Sequence, residues 1–286
     1  DSFCDRKVSY YWNQVDLYIG GTEHAVGHLL YCRMWTKVLF YLGHIGFDEP
    51  FRKLLNQGMI QGSSRFVFRK KGTQQFISAG LINGQEVDKL HVDVNMVDGL
   101  ELDTEAFKKW RNNEYANASF ELENGKYICG VEVEKMSKSK FNTVNPDILV
   151  EKYGADTFRM YEMFLGPVDQ SKPWDTKGIE GVHRFIKKLW RLFFDEEKGA
   201  VYNNEPATPE ALKILHRTIK KIEEDTERFS FNTAVSACMI CVNDLADIKC
   251  HSLKVLSPLL VLLTPYAPHV AAELWNATGN EGSVLD

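Results

Sequence analysis

Val15-Asp16-Leu17-Tyr18-Ile19-Gly20-Gly21-Thr22-Glu23-His24 reads as a short apolar strand that runs into a double glycine and then into a helix. Thr22 stands where an N-cap is expected. Ala25, Leu29, Leu30, Val38, Leu39 and Leu42 follow at helical spacing, and Gly43 ends the run. Strand, tight glycine turn and helix N-terminus together make the place where an α/β sheet holds a nucleotide. The backbone can approach closely there, and the helix end favours anions. A double glycine alone is a weak signal, so the reading depends on its neighbours.

His24 and His28 are four apart and share one helix face. A zincin pattern would place glutamate between its histidines, whereas Glu23 precedes the first, and no third ligand lies nearby. No metal is therefore assigned, and helix packing or capping is the plain alternative for both rings. Phe51-Arg52-Lys53-Leu54-Leu55, followed by Asn56-Gln57-Gly58-Met59-Ile60, reads as a buried parallel strand with Gly58 permitting close backbone approach. His44-Ile45-Gly46 precedes Phe47-Asp48-Glu49-Pro50 and reads as a helix-exit loop without catalytic duty.

A second focus is Lys135-Met136-Ser137-Lys138-Ser139-Lys140. Upstream, residues 125–133 alternate like a strand. Downstream, Asn145-Pro146-Asp147 opens a helix carrying Ile148, Leu149, Val150 and Tyr153. A short lysine loop between strand and helix suits transient neutralisation of a phosphoryl-transfer transition state, where catalysis is mostly positioning and electrostatics. As bare charge pattern, the same letters also fit a solvated run.

With 286 residues, 44% of them hydrophobic, the chain can bury a substantial core in two or three domains. No apolar run approaches a membrane span; the stretch around Leu256 to Leu263 is interrupted by Ser257 and Pro258. Asp1-Ser2-Phe3-Cys4 reads neither as a basic start nor as a secretory signal, nor as a natural beginning. Six irregularly spaced cysteines imply reduced thiols and a cytoplasmic protein. Cys238 and Cys241 form one C-x-x-C inside the helical pattern Ala234 to Leu245, which reads as packing. The net charge of −5 confines any nucleic-acid footprint to a local patch.

Between residues 62 and 131, Val67, Phe68, Phe76, Ile77, Val87, Val92, Val94 and Val97 fall in short alternating runs separated by Lys-Gly, Asn-Gly and Asp-Gly. This reads as a β-rich insertion, a spacer or lid, with one helix over Asp103 to Ala116. Beyond Ser171-Lys172-Pro173-Trp174-Asp175 the chain is helix-periodic: 181–194, 209–228, 232–248, 253–263 and a last helix through Trp275. Arg184, Lys187, Lys188 and Arg191 form a basic stripe without an acid, and Lys213, Arg217, Lys220 and Lys221 recur on the next helix. Such stripes can contact RNA phosphates. Because Glu223, Glu224, Asp225 and Glu227 follow at once, the pattern alone favours a solvated face.

Lys135 to Ser139, continued by Lys140-Phe141-Asn142, resembles the second signature of class I aminoacyl-tRNA synthetases. The run Gly20-Gly21-Thr22-Glu23-His24-Ala25-Val26-Gly27-His28-Leu29-Leu30-Tyr31 resembles the leucyl-tRNA synthetases, whose valyl and isoleucyl cousins differ at this point. Residues 178–190, 230–234 and 265–275 are similar to the tRNA-stem contact and anticodon-side regions of the same family. The resemblance implies an α/β plus all-α architecture: the C-terminal half of a Rossmann-like nucleotide-binding fold at 1–61 and 132–170, the insertion at 62–131, and a helical bundle at 171–286.

It further implies ATP, as Mg-ATP with Mg2+, and leucine and tRNA(Leu) as partners of a monomer. In that reading Lys138 steadies the leaving pyrophosphate and Lys135 assists. Glu23 takes the adenylate ribose hydroxyls beside Gly20 and Gly21, while His24 and His28 lie by the leucine and its adenylate. Gln57, Gly58 and Met59 flank the adenosine, Met136 lies near the adenine, and Ser137 and Ser139 complete the loop. Arg184, Lys187, Lys188 and Arg191 become candidate tRNA contacts. The resemblance covers all but residues 62–131 and lacks the first half of the nucleotide fold, so the isolated chain is expected to be inactive. Another class I synthetase, for isoleucine or valine, is the alternative within the family, and two rivals from other classes remain: a small nucleotidyltransferase, which would lack the bundle, and a non-catalytic tRNA-binding module.

Overall fold

The computed structural model describes residues 3–285. Asp1, Ser2 and Asp286 lie outside the described residues, and with them part of the leader reading and the last position of the expected bundle. After a short helix α1 (Arg6–Trp12), β1 (Val15–Gly21) leads through α2 (Leu30–Tyr41) to β2 (Phe51–Gln57). The two strands pair in parallel, from Val15 opposite Phe51 to Gly21 opposite Gln57. A crossover helix of this kind is what parallel pairing requires.

Two expectations fail here. Thr22 is not an N-cap: a 3-10 turn over Thr22–His24 and a π-helical turn over Ala25–Leu29 precede α2. Gly21 holds the cap position, and the Ala25 N–H closes on the Thr22 carbonyl, so Thr22 is the first residue inside the turn. Nor is β2 buried. β1 is its only sheet partner among the described residues, and Leu54 and Ile19 are 44% and 45% exposed. Strand periodicity identifies the element, but burial depends on what covers it.

The next sheet is organised by the long β3 (Ile60–Lys70). It pairs antiparallel with β4 (Gln75–Ile77), β5 (Val87–Val92) and, after a small hairpin of β6 (Val97–Asp98) and β7 (Glu101–Leu102), with β9 (Gly130–Lys135). β8 (Ser119–Glu121) joins β4 in parallel, and β10 (Lys172–Pro173) joins the start of β3. Val67, Phe76, Val92, Phe107 and Tyr127 form a core of their own beneath this sheet. The Tyr127 hydroxyl donates to the Ile77 carbonyl at 2.8 Å and accepts from the Phe68 N–H at 3.0 Å, so its burial is compensated.

Asp103 caps α3 (Thr104–Asn113) by accepting from the Glu105 and Ala106 N–H groups. The regular helix stops well short of Ala116. Trp110 turns to ψ 152°, and Arg111 and Asn112 adopt positive φ, which asparagine tolerates better than most residues. Trp110 is thereby free to stack near Tyr115 and to meet Phe141 edge-on at 5.0 Å.

From α4 (Pro146–Tyr153) and α5 (Ala155–Phe164) onward the regular structure is helical, apart from β10 and a short hairpin of β11 (Phe194–Asp195) and β12 (Gly199–Ala200). The bundle comprises α6 (Ile179–Arg191), α7 (Pro209–Glu227), α8 (Phe231–Asp247), α9 (Leu253–Leu263) and α10 (Pro268–Ala277). One continuous core joins Leu149 and Met160 of α4 and α5 to Leu189, Val242, Leu256 and Leu263. Each such side chain contributes roughly 1.5–3 kcal/mol by leaving water. Asp156, at the start of α5, caps α10 from a distance. Its carboxylate accepts from His269 Nδ1 at 2.7 Å and from the Val270 N–H at 2.6 Å. Cys238 and Cys241 are buried in this core as expected, and burial pushes the Cys238 thiol up to about 12. Among the described residues no helix is long and apolar enough to cross a membrane.

Candidate active site

β9 ends at Lys135, opposite Gln61 of β3, and the chain then makes a tight excursion before α4. Asn142, only 2% exposed, ties that excursion together. Its Oδ1 accepts from the Ser137 N–H at 2.8 Å, and its Nδ2 donates to Ser64 Oγ at 2.8 Å and to the Lys135 carbonyl at 3.3 Å. The Ser137 hydroxyl lies 2.7 Å from that of Ser139 and accepts the Ser139 N–H. Lys138–Lys140 form a 3-10 turn, Phe141 takes φ 52°, and Asn145 caps α4 with Pro146 in its first turn.

The three lysines are not equivalent. Lys140 is paired with Glu134, whereas among the described residues the side chains of Lys135 and Lys138 make no ion pair or hydrogen bond, and both are exposed. Met136 is half-buried against the main core. Lys138 lines a cleft of about 1110 Å3 together with Gly62, Arg65, Asn95, Asn145 and Lys177.

The glycine turn forms a separate locus. Gly20 and Gly21 stand at the carboxyl end of β1, opposite Asn56 and Gln57. The Glu23 carboxylate folds back over Gly21 so closely that a side chain on Gly21 would collide with it. His28 Nε2 is hydrogen-bonded to the Tyr18 hydroxyl, whose ring stacks on Phe51 at 4.1 Å. His24 is exposed. Asn56 Oδ1 is buried and has no partner among the described residues, an uncompensated acceptor beside the turn. The carboxyl edge of parallel strands is where such folds place ligands.

Gly58 does permit a close backbone approach, and the partner is this chain's own Gln170, on which a Cβ would collide. The Gly58 N–H donates to the Val168 carbonyl at 2.9 Å, and the Met59 N–H to Ser171 Oγ at 3.1 Å. Gln57 and Gly58 line a smaller cleft of about 390 Å3 with Arg159, Glu162, Lys172 and Phe231. Gly20, Gly21, Glu23, His24, His28 and Met59 line neither cleft. Burial pushes the Lys172 ammonium down, while Asp169 and Glu162 pull it up, and its Nζ donates to the Gly166 carbonyl. Sequence reasoning gave no role to Arg159, Glu162, Lys172 and Glu134, because nothing at short spacing marks them, and it quoted Asn142 only as a letter of the signature.

On α6, Ile179, Val182, Phe185 and Leu189 are buried on one face, and Arg184, Lys187 and Arg191 are exposed on the other. Arg184 and Lys187 have no ion pair among the described residues. Lys188 donates to Asn243 at 2.7 Å, and Arg191 lies 3.5 Å from Glu196. On α7, by contrast, Arg217, Lys220 and Lys221 are all paired with acids.

Residues 209–286 match the family model described as the anticodon-binding domain of tRNA ligase. Over 285 residues the chain is 60% identical to a leucine–tRNA ligase of Bacteroides thetaiotaomicron, covering 100% of this chain and 30% of the relative. A leucine–tRNA ligase of Parabacteroides distasonis is 58% identical over 281 residues, 98% of this chain and 30% of the relative. The chain thus spans about 30% of the length of the curated relatives it matches. Among solved structures it superposes on a leucyl-tRNA synthetase of Agrobacterium radiobacter, from a ternary complex with tRNA and LeuAMS. That match has a TM-score of 0.63 and 27% identity and covers 98% of this chain and 29% of the other. A methionyl-tRNA synthetase of Mycobacterium tuberculosis shares the fold at TM-score 0.54 and 16% identity, over 94% of this chain and 45% of its own.

A parallel β-α-β unit, a strand–lysine-loop–helix junction and a helical bundle in this order define part of a class I aminoacyl-tRNA synthetase. Within that class, the chain corresponds over its whole length to a segment of the leucine–tRNA ligases.

Proposed function

We propose that the intact protein activates leucine with ATP and transfers the leucyl group to tRNA(Leu), and that this chain supplies the phosphate-handling half of the site and the tRNA-binding bundle. The observation that carries the reading is the lysine loop. Among the described residues, Lys135 and Lys138 project without counter-ions from a turn pinned at both ends by Asn142. Cations kept unpaired and close to a buried scaffold are suited to charge that appears only as the reaction proceeds.

In the activation step the leucine carboxylate attacks the α-phosphorus of ATP, an oxygen–phosphorus bond forms, and the bond to the leaving pyrophosphate breaks. Lys138 takes the growing negative charge on pyrophosphate and Lys135 assists. Mg2+ arrives bound to ATP as part of the substrate. Gly20 and Gly21 let the adenylate approach the backbone, Glu23 accepts the ribose hydroxyls, and His24 and His28 flank the leucine. Gln57, Gly58, Met59, Met136, Ser137 and Ser139 border the nucleotide. The two loci stand apart here, and loop movement on substrate binding would join them. The free Arg184 and Lys187 on α6 are the best-placed phosphate contacts for tRNA(Leu), with Lys188 and Arg191 beside them.

The uncovered face of the β1-α2-β2 unit supports the expectation that further chain completes the nucleotide fold, and that the isolated segment is inactive. The intact enzyme is expected to be a cytoplasmic monomer with reduced cysteines. Replacing Lys138 by alanine in the full-length protein is expected to lower the rate constant of leucine-dependent ATP–pyrophosphate exchange by about 100-fold while leucine affinity changes little. A collapsed leucine affinity with an unchanged rate constant would contradict the assignment.

A further inference from the structure

The lysine loop is held from outside by the inserted sheet. Glu134, the penultimate residue of β9, is the hub: its carboxylate pairs with Lys140 of the loop and lies 2.7 Å from His91 Nε2 of β5. Lys140, Ser64 and His91, in that order of influence, hold the Glu134 carboxyl down at about 2, so it stays anionic throughout the physiological range. One residue past Lys140, the Phe141 carbonyl accepts from the Val94 N–H at 3.1 Å. The Phe141 ring meets Trp110 edge-on, and the Arg111 guanidinium sits 4.7 Å from the Trp110 ring centre and 5.1 Å from that of Phe141. The left-handed stop of α3, which sets Arg111 at positive φ, places that cation there.

We infer that Lys140 does not handle phosphate but anchors the loop: with Glu134 it forms a latch through which the inserted module positions Lys135 and Lys138. The inference rests on reading the loop as the site of ATP chemistry, and it assigns the insertion a task beyond that of a spacer. Glu134, Lys140 and Phe141 are positioning residues, because they act through the two free lysines. Fixing the base of a mobile loop limits the arc its tip can sweep, and a misplacement of about 1 Å at a reacting centre can cost 100-fold in rate. Glu132, two residues back on the same strand, pairs instead with Lys89 and serves as the control.

The test uses the full-length protein with Glu134→Gln, Lys140→Met, the double variant, the charge swap Glu134→Lys with Lys140→Glu, and Glu132→Gln. Leucine-dependent exchange is read as separate rate and Michaelis constants, and hydrogen exchange is followed on peptides covering 136–143. Each latch single is expected to lower the rate constant about tenfold while the Michaelis constant for ATP stays within about twofold. The double variant should be no worse than the worse single, because partners in one ion pair are not additive. The swap should recover part of the rate, Glu132→Gln should match the parent, and 136–143 should exchange faster in Glu134→Gln while β3 peptides stay unchanged.

Singles at the parent rate, or a double loss equal to the product of the singles, would overturn the latch. A parent without leucine-dependent exchange would overturn the reading of the site instead. In that case the hydrogen-exchange arm still decides: unchanged protection over 136–143 in Glu134→Gln removes the anchor, and faster exchange retains it.

Discussion

The helical bundle and the β1-α2-β2 unit are similarly rich in apolar residues and spend them differently. In the bundle, Leu245, Leu256, Leu259 and Leu263 are fully buried. In the β-α-β unit, Leu30, Tyr31, Trp35 and Leu54 face outward, and Trp35 is 56% exposed. The bundle closes its core with its own helices. The β-α-β unit has one face covered by one helix, and its remaining apolar surface calls for a further layer. The two proposed loci follow the same division, the glycine turn on the exposed unit and the lysine loop beside a covered core.

The sharpest way to break this contrast is truncation on both sides. Leu256→Ala in the isolated chain should cost about 3 kcal/mol through transfer and cavity terms, whereas Leu54→Ala should cost under about 0.5 kcal/mol. Denaturant midpoints at constant m-value report both, and comparable losses would mean that the β-α-β face is covered after all. Next, Asp156→Ala strips the cap from α10 and leaves three donors of His269 and Val270 without their acceptor. A loss of about 2 kcal/mol is expected, with α10 amides losing hydrogen-exchange protection first.

Acid should also separate the regions. Glu134 is held at about 2 against an ordinary 4.5, so its folded-state value is depressed. Its contribution is present above about pH 4.5 and is lost as pH falls towards 2. Melting followed from pH 6 to pH 3 should show a shallower decline in Glu134→Gln than in the parent, and parallel curves would refute the coupling. Glu49 is held equally low by Arg33 and Lys37 on the surface of the β-α-β unit. Its effect should fade in high salt more than that of the half-buried Glu134. Smallest in expected effect, Arg184→Gln with Lys187→Gln should weaken tRNA binding by the full-length protein and reduce the salt slope by about two. An unchanged slope would remove α6 from the interface.

Much of this organisation was legible because it is periodic. α7 and α9 begin where Pro209 and Leu253 were read, since apolar residues at three and four spacing mark one face of a helix. The strand–loop–helix setting of the lysine loop and the Asn145 cap are equally local signals. What escaped is non-local. His91 and Glu134 are 43 positions apart, and Asp156 and His269 are 113 apart, so no window contains either pair. The burial of β2 was misjudged because a strand's residue types report its own apolarity and not whether a neighbour exists. The early end of α3 turned on an asparagine-rich stretch tolerating left-handed backbone, which helical spacing of Phe107 and Trp110 does not show.

The most direct test of the central claim is amino-acid-dependent ATP–pyrophosphate exchange by the full-length protein, run across all twenty amino acids with Lys138→Ala alongside. Exchange with leucine alone, lost in the variant, is the expected result. Exchange with no amino acid, or full exchange in Lys138→Ala, would contradict the account and leave the bundle as an RNA-binding module without this chemistry.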